Sequence, residues 1–396
     1  MASRPAAETA QRRPRRRALY RLLALSLSLL MACLAGELLL RLIGYSRSYV
    51  NPGGSFLDFD PLLGARGKPN FSGRFQTRDF DVVVAHDQNG FRRPVEHPEL
   101  PSPQRDVYVI GDSFVWGCGV GQTGVLTNQM EVLMPGYRVH NFGIAGSGTV
   151  EQYTVFKTYI RDQLRAEDTV VVAFYGGNDF GDNVGRFFHD RLHATVRDGK
   201  VCEVPPSGEK SNVKQLKNSL KDNSCLFNLV TFCIDRCKYA GVTVRSSQRS
   251  KRQPPPAEEI AAAASDSGAP VVVTRFYLAE FKRACAEQGV NLVVAYIPGQ
   301  AELGEDDFSS TDEFTGPEEA AFRPAFFRIT QSLGIKTLDL LPSLLAAKQA
   351  GRFDRLTFRY DQHWNEHGHL VGAEALSSLI VETDKQRLAG LPRTLR

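Results

Sequence analysis

The sequence predicts an α/β protein with a mainly parallel, fully covered sheet, carried on one N-terminal membrane helix. Three observations predict it. Short apolar runs bounded by glycine, such as Val107–Ile110 and Val170–Phe174, read as strands buried on both faces. Helical periodicities fall between such runs: Leu278, Phe281, Ala284 and Cys285 share one face, Gly289 ends that helix, and Asn291–Ile297 follows as a strand. A long uncharged stretch stands near the start of the chain. Strands that alternate with helices require crossover connections, and crossovers make a parallel sheet.

The elements follow in order. Five arginines (Arg12, Arg13, Arg15, Arg16, Arg17) lie in the basic segment 1–21, and they outnumber the net charge of +4 on the 396-residue chain. The remainder is close to neutral, which leaves no footprint for nucleic acid. From Leu22 to Gly36 no residue is charged, and the apolar character resumes through Ile43. Residues 22–43 therefore meet the ~20 residues that a spanning helix needs. Glu37 and Arg41 stand four apart at its outer end and can pair. The preceding arginines hold the N-terminus in the cytoplasm, so the expectation is an uncleaved signal anchor with the rest of the chain exported. A cleaved signal peptide lacks a clear small-x-small site here, and the apolar run continues past Cys33.

Residues 45–100 read as a β-rich lead-in, with alternation at Asp81–Ala85 and a turn at Asn89-Gly90. The main domain spans 101–385. It is interrupted between 181 and 268 by an insertion whose basic run, triple proline and alanine run read as a solvated linker, and 386–396 read as a tail. A further helix ends at Gly334, before the strand Ile335–Leu338.

Chemistry concentrates at element boundaries. Gly111-Asp112-Ser113 stands where a buried strand gives way to a helix, a position that exposes a hydroxyl and free backbone N–H groups at a sheet's carboxyl edge. Asn141 through Thr149 follows the strand-like Tyr137–Asn141, and its glycines can bring a backbone N–H close to a reacting carbonyl. Gly176-Gly177-Asn178-Asp179 follows the next strand and adds a side-chain amide. Asp361-Gln362-His363-Trp364-Asn365 precedes a helix capped by Asn365. A serine, two further oxyanion donors and an Asp/His pair are what acyl transfer needs.

These four blocks, in this order, resemble the SGNH (GDSL-type) hydrolase superfamily, over about residues 105–385 apart from the insertion. The resemblance implies a three-layer α/β/α, flavodoxin-like domain. It places the nucleophile on Ser113, the base on His363 and its partner on Asp361. The oxyanion hole falls on Ser113, Gly146 and Asn178, and no cofactor or metal is implied. The lead-in from Asp60-Pro61 to Phe91-Arg92 is similar to that of membrane-anchored bacterial members. One spacing departs from the family's Asp-x-x-His: Asp361-x-His363-Trp364 resembles SGNH-like proteins that O-acetylate exported polysaccharides. The expectation is an exported serine esterase, with O-acetyl transfer to an envelope glycan as the alternative and a non-catalytic binding scaffold as a third reading.

Other candidates have plainer readings. His363, His367 and His369 lack companions at metal-ligand spacing. Gly117 through Gly121 lacks the Lys-Ser/Thr of a phosphate loop. Trp116 and Trp364 could line an acyl pocket or simply pack. Cys118 and Cys285 sit in core-like contexts, and at least one disulfide is expected among Cys202, Cys225, Cys233 and Cys237.

Overall fold

The structure is a computed structural model. It describes residues 12–45, 49–50, 56–77, 79–208, 216–217, 219–220, 223–234, 254–305 and 314–390. Its centre is a five-stranded parallel sheet of β1 (Arg105–Gly111), β2 (Tyr137–Gly143), β3 (Thr169–Tyr175), β4 (Asn291–Ile297) and β5 (Lys336–Asp339). The spatial order is β5-β4-β3-β1-β2. Chain direction across the sheet reverses beside β1, so the cleft over the carboxyl ends of β1 and its neighbours is where this topology places ligands.

Alternate residues of each strand enter separate cores, which makes the three layers. Tyr108, Ile110, Val172, Phe174 and Tyr296 pack with Tyr153, Phe156, Phe281 and Phe326. These last come from α4 (Thr149–Val155), the turn after it, α6 (Ala269–Glu287) and α7 (Gly316–Ser332). Val109, Val171, Ala173 and Ala295 face the other way, onto Phe114, Met130, Leu344, Trp364 and Leu376. Those belong to α2 (Ser113–Trp116), α3 (Leu126–Leu133), α8 (Leu341–Gln349), and α9 (Glu366–Gly390) with the residue pair before it.

Ahead of the sheet, α1 runs over Arg12–Leu42, and its Tyr20–Leu42 part is 23 residues long and apolar enough to cross a membrane. At ~1.5 Å per residue that part covers roughly 34 Å, against a hydrocarbon core of ~30 Å. The lead-in forms a small sheet of Tyr49–Val50, Ser72–Gln76 and Asp81–Ala85 and a two-stranded ribbon of Leu57–Asp58 and Arg66–Gly67. Phe56, Phe75, Phe80 and Val84 form a core with Trp116 and Cys118, so the lead-in packs directly behind α2.

Parts of the insertion are more regular than a linker. His193–Arg197 and Lys200–Val204 make an antiparallel hairpin, Cys225–Ile234 is a helix, α5, and Ala257–Ala263 is another that buries Ile260. Alanine has the highest helix propensity, so the run after the prolines folds once Ile260 has a core to enter. The expected tail is likewise helical as far as Gly390, as the end of α9. The basic run at 245–252 lies outside the described residues. Cys202, Cys225 and Cys233 are free thiols, which corrects the expected disulfide among them. The Cys225 sulfur is turned toward the Tyr45 carbonyl instead, at 3.6 Å, and Cys237 lies outside the described residues.

Arg92 joins the lead-in to the loop that follows α2. It is 2% exposed, and burial pushes its guanidinium down to about 10. It donates to Val120 O at 2.7 Å, Gln122 Oε1 at 2.9 Å and Gly117 O at 3.3 Å. Arg92→Ala would leave the buried Val120 carbonyl without its donor, while Gly117 O keeps Val120 N at 3.5 Å, at a cost of about 2 kcal/mol. Thermal unfolding of that variant is expected several degrees below the parent; an unchanged midpoint would show that the cation does not hold the loop.

Candidate active site

β1 delivers Ser113. The strand is buried from Val107 to Gly111 and stops where Asp112 caps the short α2, accepting a hydrogen bond from Phe114 N at 2.9 Å. Gly143 of β2 lies so close to α2 that a Cβ there would sit 2.2 Å from Trp116 N, so only glycine lets the two blocks approach. Ser113 is buried but for 8% of its surface.

The loop before α9 delivers His363. His363 Nε2 lies 2.7 Å from Ser113 Oγ, and its Nδ1 is hydrogen-bonded to Asp361 Oδ1. Asp361 Oδ1 also accepts from His363 N at 3.0 Å, which stiffens the short Asp-x-His turn. Buried Glu305 grips the start of this loop, accepting from Thr357 Oγ1 at 2.6 Å, Thr357 N at 2.9 Å and Leu356 N at 3.1 Å, with Lys348 at 2.8 Å. Burial works against its charge, but those donors prevail and hold its carboxyl below the usual range. Gln300 Nε2 donates to Asp361 O at 3.1 Å, and Tyr360 N donates to Asp79 Oδ2 of the lead-in at 2.7 Å. At the far end Asn365 caps α9, accepting from His367 N and Gly368 N.

Gly146 and Asn178 stand just past the ends of β2 and β3, on either side of Ser113's strand. Gly146 has φ +72°, a left-handed conformation that favours glycine. Arg191 Nη1 holds its loop, donating to the carbonyls of Ala145 and Gly146 at 2.7 Å each. Ser147 Oγ donates to Gly111 O at 3.2 Å, tying the loop to the strand that carries Ser113. Asn178 is 7% exposed, and its Oδ1 is buried without a partner among the described residues.

Acidic groups line the underside. Burial raises Asp112 to about 6 and Glu151 to about 8. Asp179 is raised well above the usual carboxylate range by burial and by the neighbouring Asp112 and Asp182. Burial disfavours the imidazolium of His363, yet the facing Cys118 and Asp361 outweigh it and hold the ring well above the ordinary histidine range. Asp361 supplies the attraction that we take as decisive, because burial also raises the Cys118 thiol and so keeps it neutral.

Sequence reasoning missed Cys118's position. The residue is buried, as its context indicated, but its sulfur lies within 4.8 Å of donor atoms of both His363 and Asp361. That trio is the one group among the described residues whose donors are close enough to share a metal ion. Both His363 ring nitrogens are already engaged, by Asp361 and Ser113, so a metal would have to break the chain. His369 lies buried near the start of α9; it accepts from Leu126 N at 3.3 Å, and burial lowers it to about 3. His367 stacks on Phe353. Trp364 packs edge-on against Phe114, and Trp116 donates to His86 Nε2 at 3.1 Å, so both tryptophans serve packing.

Comparisons with known proteins bear on the same residues. Residues 256–394 match the family described as "SGNH hydrolase-like domain, acetyltransferase AlgX". That match supports the resemblance to the SGNH superfamily and includes the Asp361–His363 block. No curated protein sequence matches the chain. Similar solved structures include an acetyl xylan esterase, 12% identical over 69% of this chain and 98% of that one, TM-score 0.38. A G-D-S-L lipolytic protein of Veillonella parvula is 11% identical over 70% and 98%, TM-score 0.37. A carbohydrate acetylesterase of Sinorhizobium meliloti is 9% identical over 71% and 100%, TM-score 0.34. Likeness at this level carries no argument about function.

The titration of His363 is directly measurable. Its ring resonances should titrate above the ordinary ~6.5, and Asp361→Asn should lower that midpoint by about 1–3 units. The free base is then populated only as pH rises through the raised value. A midpoint at or below 6.5 in the parent would show that Asp361 does not stabilise the imidazolium.

Proposed function

We propose that this chain is a membrane-anchored, exported serine acyl-transfer enzyme acting on O-acetyl esters of a glycan, through an acyl-Ser113 intermediate. The observation that carries it is the unbroken hydrogen-bond chain from Asp361 through His363 to Ser113. Neutral His363 takes the proton of Ser113 Oγ through Nε2 while that oxygen attacks the ester carbonyl. Asp361 holds the Nδ1–H tautomer and stabilises the imidazolium that forms. The N–H groups of Ser113 and Gly146 and the amide of Asn178 receive the oxyanion. His363 then returns the proton to the departing alcohol, leaving acetyl-Ser113. In the second half, an incoming hydroxyl gives its proton to His363 and takes the acetyl group.

The acceptor decides whether the outcome is hydrolysis or transfer, and the triad is common to both. The sequence expectation favoured water. The family match to an acetyltransferase, lying over the short Asp-x-His block itself, moves our reading toward a sugar hydroxyl, with hydrolysis as the slower leak. The N-terminal helix, long and apolar enough to cross a membrane, supports an exported glycan as substrate.

With a nitrophenyl acetate as donor, oligosaccharide acceptors should receive the acetyl group in preference to water. Asn178→Ala should lower turnover about 10²- to 10³-fold. Free acetate as the dominant product at every acceptor concentration would return the assignment to hydrolysis. Full activity in Ser113→Ala would remove the acyl-serine mechanism altogether.

A further inference from the structure

Helix α5 has no part in the acyl chemistry. Its ten residues, Cys-Leu-Phe-Asn-Leu-Val-Thr-Phe-Cys-Ile, carry no charge, and Val230 and Ile234, four apart on one face, are 46% and 47% exposed. Isolated apolar side chains on a surface need no explanation, but an uncharged helix with an open apolar row does. Where it is fastened supplies one.

The helix begins on α1. Glu37 accepts hydrogen bonds from Cys225 N at 3.1 Å, Leu226 N at 2.9 Å and Ser224 Oγ at 2.9 Å, and pairs with Arg41 at 2.7 Å. Arg41 also reaches Asn223 O at 3.0 Å. Ser224 Oγ accepts from Phe227 N at 3.1 Å, so the first N–H groups of α5 are satisfied by protein and need no water. Leu226 packs over Gly36, where a Cβ would lie 3.7 Å from its Cδ1, and the Cys225 sulfur meets Tyr45 O. Thr231 Oγ1 is satisfied within the helix by the carbonyls of Phe227 and Asn228.

These contacts set the depth of α5, on the reading that α1 spans a bilayer. Glu37 lies five residues before the end of the span, about 8 Å along the helix axis. With the ~34 Å span centred on a ~30 Å core, the start of α5 is thus about 6 Å inside the headgroup boundary, in the shallow acyl region of the outer leaflet. A helix whose polar backbone is internally satisfied tolerates that region, while exposed apolar rows gain from it.

We propose that α5 is a second membrane contact: an interfacial helix lying in the outer leaflet with Val230 and Ile234 on the acyl chains, which holds the catalytic domain against the membrane surface.

The test uses the full chain in vesicles of phosphatidylcholine and phosphatidylglycerol brominated at shallow or deep acyl positions. Tryptophan reporters are placed singly by Val230→Trp, Ile234→Trp, Leu29→Trp in the span and Val83→Trp on the lead-in. Trp116 and Trp364, both buried, give a constant background. The expected result is quenching of the reporters at 230 and 234 by shallow bromines, of that at 29 by deep bromines, and of that at 83 by neither. Adding Glu37→Ala should abolish quenching at 230 and spare it at 29. Quenching at 29 with none at 230 or 234 would overturn the interfacial helix and leave the anchor standing; it would mean that α5 faces water or another protein. Absence of quenching at 29 would overturn the anchor and this proposal with it.

Discussion

The site depends on one hydrogen bond between side chains 250 positions apart, His363 Nε2 to Ser113 Oγ. No local structure brings those residues together. The sheet order puts the end of β1 under the loop ahead of α9, and each side then needs its own support to hold a 2.7 Å contact. On the serine side, Asp112 fixes the start of α2 and Arg92 fixes the loop after it. On the histidine side, Glu305, Gln300 and Asp79 hold the backbone at 356–361. Both Arg92 and Asp79 belong to the lead-in, so that segment acts as a brace gripping both halves of the proposed machinery.

The sheet was legible because its strands are buried on both faces and leave apolar runs that few other elements produce. The runs Val170–Phe174 and Asn291–Ile297 fall within β3 and on β4. Ser113, His363 and Asp361 were legible because they recur in short blocks at strand and helix ends. The supports were not. Arg92, Glu305 and Gln300 act on backbone groups of loops 25 to 61 positions away, and a carbonyl has no sequence signature. Cys118 was read as a core thiol because its glycine neighbours reveal nothing of the imidazole it faces. The helix Ala257–Ala263 was hidden by the prolines before it, although its alanines favour helix.

The same logic explains the charged pair in α1. Read alone, Glu37 and Arg41 are costly residues near the end of an apolar span. In the folded chain they receive the backbone of residues 223–226, so the charges become the joint between α1 and the insertion. The lead-in carries Arg92 to the loop behind Ser113, and the Cys225 sulfur of the insertion meets Tyr45 at the end of α1's segment.

The central claim is that Ser113, and no neighbouring nucleophile, carries the acyl group. Cys118 makes that a real choice, since its sulfur faces the same base. The most direct measurement is acid-quenched peptide mass spectrometry after brief exposure to a nitrophenyl acetate, in the parent chain and in His363→Ala. The account predicts acetyl on the peptide at Ser113 in the parent and its loss in the variant. Acetyl found on Cys118, or on Ser113 equally in both chains, would contradict it.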